Sequence, residues 1–591
     1  MIASRSRALF GAALLALLCG IPAFAPAQVE TSEPILLLPP ATDGLAGEEP
    51  AAPDEPVSET PLAPSVEIET LPAFDIDSVG LLDSDHGGLG PYMWEGSRRT
   101  RVVEFIRRLP ASASSIAMHD LGVRILLSAA PSPAGESAGS FLDLRVETLM
   151  ALGEHEKAVE LLGAAPGRDS SQLGLRVQTE TRLLGADLTG ACERVAHGGQ
   201  KFDDPFWQKA AIFCQIVAGQ TEAVALGLSL LVEEGSVEDP AFTELVYALI
   251  GGQRVSDFAA PNMMPLHLAM VGYAEGSVAP SALAAMPPAL LKATALWPGI
   301  PLELRLIAAE RAEAMGVLET AALGDLYAAV EFSAEDLANP LTRASEMVGV
   351  EGRALLYQVV RAQSRPIERA EILERALAIA RAEGRYGAAV RLDLDYLLAI
   401  EPAGELAWFA GAVARALVAA GRHESANAWF GLARQQAARD PEAARAIVEL
   451  WPLTALANGG PELDRAMLSS WWNAEGERPD LERRVRAGFL FTLFDALGFN
   501  LPEDYWDSLL SGPARETKTV PAPAMWQALG RAAVNLRRGE TALISLLVLG
   551  NGGPAAADEP VLAAVTSSLR MVGLEADARA IAMEAALAAG F

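Results

Sequence analysis

From Pro91 onward, apolar positions recur three and four residues apart along most of the chain, the spacing of one buried face of a helix. Between 370 and 421 the pattern is plain: Ile372, Leu373, Ala376, Leu377 and Ala380 share a face, with Glu371, Glu374, Arg375 and Arg381 opposite. Glu383-Gly384 ends that helix, and a second follows with Val390, Leu394, Leu397 and Leu398 on its apolar side. Glu401-Pro402 closes the unit, and Leu406, Ala410, Val413 and Leu417 open the next, which Gly421 ends. The pattern predicts an all-α chain built from antiparallel helix pairs.

Two punctuation marks recur. Glycine is followed five positions later by alanine at Gly316/Ala321, Gly349/Ala354, Gly384/Ala389 and Gly421/Ala426, and these glycines step by 33, 35 and 37 residues. Prolines open units at Pro366, Pro402 and Pro441, and again at Pro166, Pro205 and Pro240, several behind an acid (Asp204, Asp239, Glu401, Asp440, Glu559). An acidic N-cap before proline at the first helical position is a sound helix start. Glycine suits the turn within a pair, and a small alanine lets the second helix approach closely. A chain with 51 glycines produces some of these matches by chance, so the ordered spacing carries the inference.

The run Leu149-Met150-Ala151-Leu152-Gly153-Glu154-His155-Glu156-Lys157-Ala158-Val159-Glu160-Leu161-Leu162 resembles the centre of a tetratricopeptide repeat. Weaker copies are Ala218-Gly219-Gln220-Thr221-Glu222-Ala223 and Val572-Gly573-Leu574-Glu575-Ala576-Asp577-Ala578. Unit length varies, and the family's paired Trp and Tyr of the first helix are missing. The resemblance implies an α-solenoid, a superhelix of helix pairs that binds partners along its concave face, and it implies no specific ligand. Repeats are expected over 91–251 and 301–450, an irregular helical hinge over 252–300, and a helical region over 451–591. That last region holds an aromatic cluster at 451–526: Trp451, Trp471, Trp472, Phe489, Phe491, Phe494, Phe499, Tyr505, Trp506 and Trp526.

Composition changes the picture mainly at the N-terminus. Residues 1–27 read as a secretory signal peptide: Arg5 and Arg7 precede an apolar run from Ala8 to Ile21, shorter than the roughly 20 residues a membrane-crossing helix needs. Cleavage is expected after Ala27, because cutting after Ala25 would leave Pro26 at the new terminus. Cys19 opens a lipoprotein alternative, but Leu18 stands where a small residue is wanted. Residues 28–90 hold 14 acids, no Lys or Arg, and nine prolines between Pro34 and Pro72, which predicts a disordered acidic arm. The apolar patch Ile35-Leu36-Leu37-Leu38 within it is a candidate docking peptide. No later segment offers a membrane-length apolar stretch. The total charge of −30 disfavours nucleic acid, whose phosphates need a basic footprint.

Catalytic and metal motifs are not found. His155-Glu156 and His423-Glu424 lack a second histidine at helical spacing. Gly135-Glu136-Ser137-Ala138-Gly139 fits a nucleophile elbow in sequence, but that elbow needs a preceding strand, and Pro131-Ser132-Pro133 precedes it here. No catalytic residue, cofactor or metal is assigned, and the chain is expected not to be an enzyme. Cys192 and Cys214 each lie 11 residues from a turn near 203, side by side on an antiparallel pair, which predicts a disulfide in an oxidising periplasm. Candidate partner-binding residues are Arg98, Arg99 and Arg101, in a basic run with Arg107 and Arg108, together with Trp471 and Trp472. The expected function is a periplasmic scaffold contacting unknown envelope proteins. The alternative is an envelope protein that binds or processes glycan, peptidoglycan included, with the 451–526 aromatics.

Overall fold

The computed structural model describes residues 75–233, 239–347, 349–510 and 522–591. The segment expected to be a signal peptide, the Ile35–Leu38 patch and most of the expected acidic arm lie outside the described residues. Among the described residues the secondary structure is helical, with isolated bridges and no strand.

The pairs form where glycine punctuation placed them. Phe141–Ala151 and His155–Gly163 turn at Gly153, Pro205–Val217 and Thr221–Glu233 at Gly219, and Pro366–Ala382 and Tyr386–Leu398 at Gly384. Ala410–Ala419 and His423–Gln436 turn at Gly421, and Glu559–Met571 and Glu575–Ala588 at Gly573. Each of these glycines has φ between +68° and +88°, a conformation that costs an L-residue about 1–2 kcal/mol. All three tetratricopeptide-like centres fall on such turns. The alanine rule holds at Ala354 and Ala426, which are buried, and fails at Ala321, which is exposed.

Acid-proline starts hold at three positions: Asp204, Asp239 and Asp440 accept from the amides of Phe206, Phe242 and Glu442 at 2.8, 3.1 and 2.9 Å. Three other expected starts are corrected. Pro166 lies in a turn before the helix Gln172–Leu184, and Pro402 precedes a short 3-10 turn. Glu559 is the first helical residue, and Asp558 occupies the N-cap.

The boundary of the arm also moves. Residues 75–90, expected to be disordered, belong to the folded body because Val79 and Leu89 are buried and Leu81 and Leu82 pack against the same core. Leu81 donates to the Leu127 carbonyl at 2.8 Å, and Ala129 to the Leu82 carbonyl at 2.8 Å. Arg145 pins the segment from beneath: its buried guanidinium donates to the carbonyls of Val79 (2.6 Å) and Leu126 (2.7 Å). Burial pushes this arginine down to about 10. Residues 252–300 include the short helices Pro265–Tyr273, Pro280–Ala285 and Pro288–Leu296, with Leu268, Met270 and Leu291 fully buried.

The last helices pack against the first. One continuous apolar core takes in residues 79–177 and 344–591, and a second covers 183–354. Along this seam Gly539 donates to the Met93 carbonyl at 2.8 Å, and Arg538 to the Leu89 carbonyl at 3.0 Å. Fully buried Glu540 lies between Arg101 and Arg537, at 3.0 and 2.9 Å. Glu584 caps the helix Ile116–Leu127, accepting from Ser115 Oγ (2.5 Å) and the Ala117 amide (2.9 Å). Asp577 pairs with Arg124 of that helix at 2.6 Å.

Cys192 on Leu188–Gly199 and Cys214 on Pro205–Val217 form the expected disulfide, with their Cα atoms 5.5 Å apart. Cross-linking two residues 22 apart removes unfolded-state entropy worth about 3 kcal/mol. Replacing both cysteines by serine is expected to lower unfolding free energy by about 3 kcal/mol in urea titrations, with the helical circular dichroism unchanged.

Candidate functional site

The basic run is only partly engaged by the fold. Arg99 pairs with Asp77 at 2.6 Å and stacks over Phe141 at 5.4 Å. Arg101 holds buried Glu540. Arg108 reaches Glu104 one helical turn back at 3.7 Å. Arg98 and Arg107 are exposed. The 451–526 aromatics interlock as core: Trp471 is 2% exposed and meets Trp451, Phe491 and Phe591 at 6.4, 6.1 and 6.3 Å between ring centroids. Trp472 is partly buried and carries the Arg483 guanidinium 3.7 Å over its ring, so that face is occupied. The structure therefore keeps the Trp471 ring face from a sugar and covers one face of Trp472. The Gly135–Gly139 run sits in the loop between Ile116–Leu127 and Phe141–Ala151. Among the described residues no three His, Cys, Asp or Glu side chains are grouped to hold a metal ion, and no helix is long and apolar enough to cross a membrane.

The tetratricopeptide-like centre at 149–162 is a buried polar joint. Glu154 accepts from His119 at 2.8 Å and meets Lys157 at 3.0 Å. Burial works to raise its pKa, but these partners hold it down to about 2. His119 in turn packs on Gly316, where a Cβ would come within 3.2 Å of the ring. Neighbouring His155 is buried and pushed down to about 4, so it stays neutral.

Two features have the shape of binding sites. The first is an open groove of about 680 Å³ over the seam, between residues 84–95 and the turns at 536–538 and 571–573. Its rim carries large apolar side chains facing water: Tyr92 is 77%, Leu536 66% and Met571 52% exposed. Leu536 also has φ of +53°, a left-handed conformation at the end of the helix Pro523–Val534 where glycine is usual. Glu95 lines the groove, and Asp83 and Asp85 are exposed beside Ser84.

The second is a small cavity of about 30 Å³ among the helices Thr320–Ala328, Val350–Ala362, Pro366–Ala382 and Tyr386–Leu398. On one side Arg353 grips Glu310 through Nε and Nη2, each at 2.7 Å, and Tyr327 donates to the same carboxylate at 2.5 Å. On the other stands Asp393, 3% exposed, with Oδ1 lacking a hydrogen-bond partner. Burial alone pushes this carboxyl up to about 7. The helical pattern carried a signal for it that went unread: Asp393 follows Val390 by three and precedes Leu397 by four, on the face otherwise given to core residues. The groove has no such signal, because its walls come from the two ends of the chain.

No protein-family model, curated protein or solved structure matches this chain.

Because Asp393 is held above its ordinary range, the folded state prefers its neutral form. Its unfavourable contribution is absent below about pH 4, grows as pH rises towards 7, and is complete above that. Asp393→Asn is therefore expected to stabilise the protein by up to about 4 kcal/mol near pH 8 and by little near pH 4, read from urea titrations at both.

Proposed function

We propose that this chain is a periplasmic, tetratricopeptide-like helical-repeat scaffold that acts by protein–protein contact in the cell envelope. Export rests on the N-terminal signal pattern, and the Cys192–Cys214 bond fits an oxidising compartment. The repeat reading is supported by helix pairs that turn on glycine at the positions its spacing gave.

The observation that carries the contact reading is the seam groove. Tyr92, Leu536 and Met571 expose apolar surface around one concavity, and exposed apolar surface of that kind marks sites of association. Tyrosine and methionine suit such sites: one is rigid with a polar tip, the other adapts its shape. The occupant is an extended segment of a partner protein with apolar side chains and flanking Lys or Arg. The apolar residues match the rim, and the cationic flanks match Glu95 in the lining, exposed Asp83 and Asp85 next to it and a chain of net charge −30, while Arg538 in the lining is taken up by the Leu89 and Val572 carbonyls.

A photo-crosslinking amino acid at Tyr92 is expected to capture a discrete envelope protein in living cells, and Met571→Glu in the same chain should reduce that adduct about tenfold. The same reagent at Leu226, an exposed apolar residue on Thr221–Glu233, serves as control. Adducts of equal yield at Tyr92 and Leu226, or an adduct indifferent to Met571→Glu, would count against the groove.

A further inference from the structure

A carboxyl group enclosed by helices ordinarily meets an arginine, a lysine or backbone N–H groups, since an unpaired buried charge is strongly unfavourable. Asp393 Oδ1 meets none of these, although two guanidinium groups line the same cavity. Both are committed elsewhere. Arg353 is bidentate on Glu310 and also reaches Glu383, while Arg385 donates to the Glu310 carbonyl at 2.9 Å. The carboxyl thus faces a space that the chain's own cations leave unfilled.

The rest of the wall is aromatic and aliphatic. Tyr327 and Tyr357 meet edge to face with centroids 5.9 Å apart, and Leu323, Leu356, Ala388 and Leu392 line the space with them, while Tyr396 backs Tyr357 from outside the lining at 6.3 Å. Gly324 makes room for Tyr357, since a Cβ there would lie 2.6 Å from the phenol oxygen. Tyr357, Arg385 and Leu392 are each partly exposed, so the space lies one side chain beneath the surface.

Aromatic rings beside a single carboxylate are the chemistry that recognises an organic ammonium ion. A calcium or magnesium ion wants several hard oxygen ligands, and the lining offers one carboxylate. The guanidinium groups of Arg353 and Arg385 are both taken up by Glu310, which leaves the Asp393 carboxyl as the uncompensated group in the lining. A cavity of about 30 Å³ admits a group the size of one or two waters, which fits a primary ammonium and excludes bulky quaternary amines. We propose that the Asp393 cavity binds a primary ammonium group of methylammonium size. Its N–H donates to the Asp393 carboxylate, and its methyl group lies against Tyr357 and Leu356.

Methylammonium chloride is the probe, used with the full chain at about pH 8 so that the carboxyl is ionised. Saturation transfer from the protein to the probe's methyl protons should rise to a plateau with concentration. It should fall about tenfold in Asp393→Asn, the loss expected for a charge-assisted hydrogen bond, and persist in Asp395→Asn, whose carboxylate is exposed on the same helix. Undiminished transfer in Asp393→Asn, or none in the parent, would overturn the assignment. Two tests on the parent alone stand whether or not the variant folds. Displacement of the probe by sodium chloride at equal ionic strength, or equal binding of tetramethylammonium, would overturn it as well.

Discussion

The helices Arg99–Ile106 and Ile116–Leu127 each have more apolar surface than their neighbours in sequence can cover. Val102, Val103, Phe105 and Ile106 of the first, and Leu121, Ile125 and Leu126 of the second, are all buried. Much of that burial comes from Arg538–Leu549 and Glu575–Ala588, more than 400 residues later. Here each end covers the other. The polar groups drawn into the seam are matched in turn: Glu540 by Arg101 and Arg537, Asp577 by Arg124, and Glu584 by the free amide end of a helix.

The seam also makes the groove. Its walls are the loop before the helix Arg99–Ile106 and the turns that end two late helices, brought together only because the ends meet. Tyr92, Leu536 and Met571 are therefore neighbours through tertiary structure alone. A partner that reads all three reads the closed state, so recognition at the groove and integrity of the seam are linked quantities.

Local features were legible because they are set by local physics. Glycine at 153, 219, 384, 421 and 573 turns a pair whatever lies beyond, and an aspartate before Pro205, Pro240 or Pro441 caps a helix within three residues. The disulfide followed from counting outward from one turn. The seam was illegible because nothing near Glu540, Asp577 or Glu584 marks them as buried; each reads as an ordinary helix-surface acid. For the same reason Arg99 and Arg101 looked available for a partner, when the fold had already assigned them Asp77 and Glu540. Acid-rich composition hid the folded start at 75–90, where a few apolar residues outweigh the charge around them. At Trp471 the aromatic density was visible, and its orientation was not.

Gly539 offers the most direct test of the closed body, because two physical effects there have opposite signs. It sits in the first turn of the helix Arg538–Leu549, where alanine in place of glycine ordinarily stabilises by up to about 1 kcal/mol. In the seam, however, a Cβ at this position would lie 2.7 Å from the Trp94 ring and 2.8 Å from the Met93 carbonyl, so alanine forces the two ends apart. The unfolding free energy of Gly539→Ala, measured in urea against the parent, should fall by about 1–3 kcal/mol. A gain of about 1 kcal/mol would show that helix propensity acts unopposed and that the first and last helices are not in contact.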